Sequence, residues 1–386
     1  MRLTGLRPPR LRTAETEAEE HRVTWLELFY DLVFVVAVAQ LGHRLLVDHS
    51  VQGTLGYIGL FIPLWYAWAQ FTFYADRYDT NDLGQRLLAI AQMVAIALMA
   101  ASISGDEADS MTAFAVAYVL ARAVLLVMYV RAYRHVQPTR ALVRGYLRGF
   151  SLGGLIWLIS IWVPSPARFV LWGIGMVVDF ATPWLVRKEQ AKVPLDVDHL
   201  PERFGLFTIL VLGEPIAAIV AGLAHEGWRL EPAIGAMIGV MAASALWWLY
   251  FENAHGKVVR RRSDQVKAWR PTVWIFSHLP LAIALTAAGI GMEFLVANEP
   301  EAGRWIVGGG VATAMVALGL ILIATDRGDD ERDRKQAIVR FVAAGVVLLV
   351  ALVSAGWSTN VVLAVVTVIL GLQIAVDLLI VGELTE

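Results

Sequence analysis

The chain has no cysteine among its 386 residues, so disulfides, thiolate metal sites and cysteine nucleophiles are all excluded. Charge is scarce as well, at 17% Asp, Glu, Lys and Arg, and a formal net charge of −2 offers nothing that would hold a nucleic acid. The eight histidines show no metal-ligand spacing, and neither a GxSxG nor an HExxH run occurs, which argues against an enzyme. No cofactor is expected. A short apolar stretch ending in a cleavage site is also missing from the start of the chain. Residues 1–22 carry Arg2, Arg7, Arg10 and Arg12, then Glu15, Glu17, Glu19 and Glu20, and are expected to form an uncleaved cytoplasmic arm.

Apolar residues fill the remainder, at 58% of the chain with a mean hydropathy of +0.60. The expected class is an all-α integral membrane protein. Apolar windows at about 25–47, 54–75, 87–103, 111–131, 149–163, 168–186, 204–224, 232–251, 272–296, 303–324, 340–355 and 359–381 give about twelve transmembrane helices. The arm and the loops after alternate windows hold 27 of the 32 Lys and Arg, while the opposite loops hold only Arg44, Arg168, Arg229 and Arg304. By the positive-inside rule both termini are expected in the cytoplasm of a cell whose inner membrane carries the protein. Trp25, Trp184, Trp228 and Trp357 sit near window ends, as interfacial anchors do.

The halves resemble copies of each other. Leu28-Phe29 recurs as Leu206-Phe207, Leu64-Trp65 as Leu246-Trp247, Ile96-Ala97-Leu98 as Ile283-Ala284-Leu285, and Arg148 with Gly153 as Arg340 with Gly345. GIGMVVD ending at Asp179 recurs as GLQIAVD ending at Asp377. Matches in order argue for duplication, and six helices per copy imply parallel repeats: 23–186 and 201–386, joined by a cytoplasmic linker at 187–200 that contains Pro194.

The informative residues are ionisable ones at membrane depth, because each costs about 2.5–3.5 kcal/mol at a helix centre unless it faces other helices or water. Glu27 and Asp31 stand four apart in WLELFYDLVFVVAVAQL and share one helix face. They suggest a cation or proton site; carboxylates near the aqueous edge would be the structural alternative. Asp76, Arg77, Asp79 and Asp82 in YADRYDTND read first as a solvated cap opening the next helix, and second as an acidic vestibule. In HLPERFGLFTILVLGE, His199, Glu202 and Arg203 open the seventh window, where the acid suits a helix N-terminus and the arginine follows the inside rule. Glu214 lies about 15 Å further in, and Pro215 after it frees a backbone carbonyl, so a broken helix with a midplane acid is expected. Arg122, at similar depth, requires a counter-ion, with Glu214 or Asp179 as candidates. His278, ahead of Pro280, suits a proton carrier or a satisfied core residue, and Asp377 matches Asp179.

Together the three motifs, in their order and spacing, resemble the bacterial low temperature requirement A family of polytopic membrane proteins. The resemblance implies an integral inner-membrane protein and carries no defined biochemical activity. From the residues, the expectation is a transporter of a small solute or ion, H⁺ or another cation, that works through intramembrane carboxylates. A cation channel is the nearest alternative, since Phe29-Tyr30-Asp31 resembles the start of six-helix units in lysosomal-type potassium channels. A membrane-sensing scaffold or an intramembrane enzyme are the others. The bilayer and the solute or ion are the expected partners; the oligomeric state is open.

Overall fold

The computed structural model describes residues 8–11, 24–79, 82–103, 107–193, 195, 199–227, 229–253, 269–325 and 330–382. Most of the expected cytoplasmic arm, Trp228, and residues 194 and 196–198 of the 187–200 linker lie outside them. The described residues are helical almost throughout, and each of the twelve apolar windows falls on helix. In chain order these are α1 (Trp25–Val47), α2 (Val51–Arg77), α3 (Leu83–Ile103), α4 (Glu107–His135), α5 (Arg140–Ser160), α6 (Ala167–Leu185), the single turn α7 (Arg187–Gln190), α8 (His199–Val211), α9 (Gly213–Glu226), α10 (Leu230–Asn253), α11 (Arg270–Val296), α12 (Pro300–Ala324), α13 (Asp330–Val353) and α14 (Thr359–Gly382). Nine stretches are long and apolar enough to cross a membrane among the described residues: α1, α3, α4, α8 with α9, and α10 to α14. The helices α2, α5 and α6 fall outside that set. Their apolar content is diluted by Gln52 and Gln70 with many aromatics, by Arg140, Arg144 and Arg148, and by Arg168 and Asp179, respectively.

The seventh window is interrupted at its proline: Pro215 cannot donate to the carbonyl four residues earlier, and α8 and α9 are separated by Leu212 alone, which keeps helical dihedrals. One element was not foreseen. Arg10–Leu11 forms a two-residue strand, β1, antiparallel to β2 at Tyr78–Asp79, with Arg10 opposite Asp79 and Leu11 opposite Tyr78. No periodic pattern can signal so short a strand.

The chain divides into two compact units. The first comprises residues 1–41 and 59–203, the second residues 42–58 and 204–386. In the first, α3 to α6 pack in sequence, each on the next. Its core is aromatic: Trp157 stacks on Trp172 with centroids 4.6 Å apart, and Tyr146 on Phe150 at 5.2 Å. In the second unit α12 is central, lying between α11 and α13. Small residues permit that contact. A Cβ on Gly291 would come within 2.3 Å of the Val307 backbone and one on Gly310 within 2.6 Å of Ala288, so only glycine lets these two helices approach so closely.

Candidate functional site

Buried charges of the first unit converge from three separate sequence motifs. Thr24 caps α1: its hydroxyl accepts from the Glu27 backbone N–H at 3.3 Å, while the Thr24 N–H and hydroxyl donate to Glu27 Oε2 at 2.8 and 2.9 Å. This reciprocal capping box holds the Glu27 carboxylate at the head of the helix. One turn on, Asp31 shares the same face and is completely buried. Its Oδ1 accepts from Trp68 Nε1 and from Arg203 Nη2, both at 2.8 Å. Arg203 is also completely buried; its Nη1 lies 3.7 Å from Glu27 Oε1 and its Nη2 donates to Thr72 at 3.4 Å. His199, one turn before Arg203 on α8, bridges two acids: Nε2 lies 3.4 Å from Glu27 Oε1 and Nδ1 3.2 Å from Asp76 Oδ1. The result is a buried group of Glu27, Asp31, Asp76, His199 and Arg203 drawn from α1, α2 and α8.

The outcome alters the reading of Arg203. At the start of a helix it satisfies the positive-inside pattern, yet its side chain turns into the protein and neutralises Asp31. Spacing cannot reveal a pairing across 172 residues. Asp76 and Asp82 of YADRYDTND likewise do not form a solvated cap, since both are buried. Asp82 does begin α3, accepting from the Gly84 and Gln85 N–H groups at 3.3 and 3.1 Å, and it also takes a 2.6 Å ion pair from Arg131. Arg77 is buried too, with Nε directed at the Val193 carbonyl 3.4 Å away. Asp79 lies in β2, and Glu202 is half-buried in the first turn of α8.

A second group lies deeper in the same unit. Arg122 on α4 pairs with Asp179 on α6, the counter-ion that its depth demanded, and donates also to Gln70 and to the Tyr118 hydroxyl. Tyr118 in turn donates to Asp179 Oδ2 at 3.0 Å, and Tyr66 donates to the Asp179 backbone carbonyl at 2.6 Å. Gly153 and Gly154 make room for it. A Cβ on the first would lie 2.4 Å from Asp179 Oδ1, and one on the second 2.9 Å from Arg122 Cγ.

The remaining candidates belong to the second unit. Arg340 pairs with Asp377 at 2.9 Å. His278 Nδ1 faces the Trp274 carbonyl at 2.7 Å and must donate there, which leaves Nε2 to accept from the Tyr250 hydroxyl at 3.0 Å. Its ring also meets Phe204 edge-on, with centroids 4.8 Å apart, so it is a satisfied core histidine. Glu214 is half-buried in the first turn of α9, where the helix N-terminus favours an acid, and it has no ion pair among the described residues. Pro215 beside it rests on α11, where a Cβ on Gly289 would come within 2.7 Å of the proline Cα.

Among the described residues no group of three or more His, Cys, Asp or Glu side chains is arranged to hold a metal ion. Chemically, carboxylates in contact with an imidazole can exchange a proton, and the ion pairs tie α1, α2 and α8 together.

Comparison with known proteins places these residues in a family. The model of the bacterial low temperature requirement A protein matches residues 22–375, a span that contains all three motifs and both buried charge groups. A Rhizobium meliloti (strain 1021) protein described as uncharacterized is 26% identical over 303 residues, covering 74% of this chain and 73% of that protein. The chain therefore belongs to the bacterial low temperature requirement A family of membrane proteins.

Proposed function

We propose that the chain is a twelve-helix inner-membrane transporter of a small solute or ion, with both termini cytoplasmic, and that Glu27, Asp31, Asp76, His199 and Arg203 form its proton or cation site. The observation that carries this reading is a charge count. Three buried carboxylates (Glu27, Asp31 and Asp76) stand against two arginines that never lose their protons, Arg203 in the cluster and the buried Arg77 next to Asp76. That leaves one negative charge, and a low-dielectric interior penalises it unless one proton or one monovalent cation joins the group. Histidine is the side chain whose ordinary titration range spans neutral pH, and His199 bridges two of the acids. A site one proton short of neutrality is suited to coupling solute movement to an ion. The sequence correspondence between residues 23–186 and 201–386 supports two parallel six-helix repeats, with the functional acids present once each: offset 178 puts Ile209 against Asp31, and Val36 against Glu214.

The capping box on Glu27 favours a second reading, a membrane-sensing scaffold in which the same charges only fasten helices. Flux in proteoliposomes separates the two. With K⁺, Na⁺, H⁺ and small organic anions supplied in turn, with and without a proton gradient, the wild type should move at least one of them. Asp31→Asn should lower that rate tenfold or more. A wild type that moves none of them, in protein shown to be folded and reconstituted, would leave the scaffold.

A further inference from the structure

The outward face of α5 carries one arginine per turn. Arg140, Arg144 and Arg148 stand four residues apart and so follow one helix face, which Leu152, Leu155 and Ile159 continue as exposed apolar side chains. The other faces of α5 are occupied. Tyr146 and Phe150 pack on Tyr129 of α4, and a Cβ on Gly145 or Gly149 would run into Val186 or Thr182 at the end of α6. Tyr133 steadies the head of the stripe: the guanidinium carbons of Arg140 and Arg144 lie 5.8 and 5.9 Å from its ring centroid, and Arg144 Nη2 donates to its hydroxyl at 3.3 Å. Arg144 and Arg148 are exposed, and none of the three arginines has a carboxylate partner among the described residues.

Depth gives the stripe its meaning. The 21 residues of α5 measure about 31 Å at 1.5 Å per residue, close to the roughly 30 Å of a hydrocarbon core, so with Arg140 at one surface Arg148 lies about 12 Å inside. A charge at that depth, on the face turned away from the protein, meets acyl chains, and the long arginine side chain must carry its guanidinium back toward the headgroups. A phosphate is the group it finds there. Guanidinium and phosphate fit each other as a fork of parallel hydrogen bonds, and each basic residue at an anionic leaflet contributes about a fivefold gain in affinity. Arginines that serve topology alone need share no face, and these three do. We propose that the stripe binds an anionic phospholipid, its phosphate held by Arg144 and Arg148 and one acyl chain laid along Leu152, Leu155 and Ile159. The face then matches a lipid end to end, charge at the head and apolar surface below it. The site rests on α5 being membrane-embedded, as the twelve-helix reading has it, and on no particular transported solute.

Photocrosslinking of the full chain in lipid nanodiscs tests it, with a phosphatidylglycerol probe and a phosphatidylcholine probe that each carry a diazirine on an acyl chain. Peptide mapping should find residues 151–160 labelled at least about fivefold more by the anionic probe. The ratio should fall to near one in Arg144→Gln with Arg148→Gln, neutral changes at exposed positions that burden neither packing nor insertion. It should hold in Arg187→Gln with Lys188→Gln, which removes the same charge from α7, packed beside α5 but off the stripe. Equal labelling of 151–160 by both probes in the wild type would place α5 in lipid and refute the anionic site; an equal fall in the α7 variant would refute it too, as diffuse charge. If neither probe labels 151–160 while other helices are labelled, the membrane-embedded reading of α5 fails and the site with it. Excess inorganic phosphate, matched in ionic strength by chloride, should leave the ratio intact, and a ratio abolished by it would assign the arginines to free phosphate and overturn the lipid site.

Discussion

Replacing Arg203 by Met tests whether the first-unit cluster is a coupled charge network. Arg203 is completely buried, donates to Asp31 at 2.8 Å and lies 3.7 Å from Glu27, so its removal leaves Asp31 as an unpaired charge in an apolar interior. Losing one member of a buried pair costs about 3–5 kcal/mol, most of it the penalty on the charge left behind. At about 2–4 °C per kcal/mol for a unit of this size, Arg203→Met should lower the thermal midpoint in detergent by roughly 6–20 °C. The second change should then be a rescue. In Arg203→Met with Asp31→Asn, the asparagine oxygen still accepts from Trp68 Nε1, now 2.8 Å away from Asp31, and no stranded charge remains. At least half of the lost stability should return, a coupling of about 2 kcal/mol, well beyond the roughly 0.5 kcal/mol scatter of independent sites. Scanning fluorimetry on the four members of the cycle at one scan rate reads the result. A double variant no more stable than Arg203→Met would refute the network, and with it the charge count behind the proposed site.

Gly153→Ala forces a Cβ to within 2.4 Å of Asp179 Oδ1 and should cost about 1–3 kcal/mol, whereas the sequence-matched Gly345 has open space and its alanine variant should be neutral or slightly stabilised; melting of both variants checks this. Equal effects would mean that the two halves pack alike at this position. Glu214→Gln should express and melt like the wild type because no ion pair holds Glu214 among the described residues, while flux falls; an expression blot beside the flux assay tests both, and normal flux would remove Glu214 from the acids expected to serve transport. Reporter fusions after residues 107 and 265 should read outside and inside, and agreement between the two would overturn the cytoplasmic termini.

The helices were legible because twenty-residue apolar runs have few other uses, and the interruption before α9 was legible because Pro215 lacks a donor, although Pro63 and Pro280 lie inside unbroken helices. Arg122 announced its need for an acid, and depth narrowed the choice to two, one of them Asp179. Depth and spacing could not bring His199 and Arg203 to Glu27, Asp31 and Asp76. Both residues sit where the inside rule places basic groups anyway, so their inward turn leaves no mark in the local pattern. The glutamines leave as little trace: Gln70 and Gln92 carry no charge and barely dent a hydropathy window. An amide in the middle of an apolar run is nonetheless a usable signal, since it too must find partners in the interior. The correspondence of Arg148 with Arg340 also proves incomplete as a guide to chemistry, because Asp377 pairs with Arg340 while Asp179 takes its arginine from α4.

The small ribbon of β1 and β2 imposes an order on assembly. Arg10 and Leu11 cannot find their strand until Tyr78 and Asp79 have left the ribosome, by which time α1 and all of α2 have been synthesised. A nascent chain arrested before residue 78 would hold Arg10 and Leu11 without a partner strand, and one arrested well after residue 79 would not, which makes this pairing a mark that the first helical hairpin is complete.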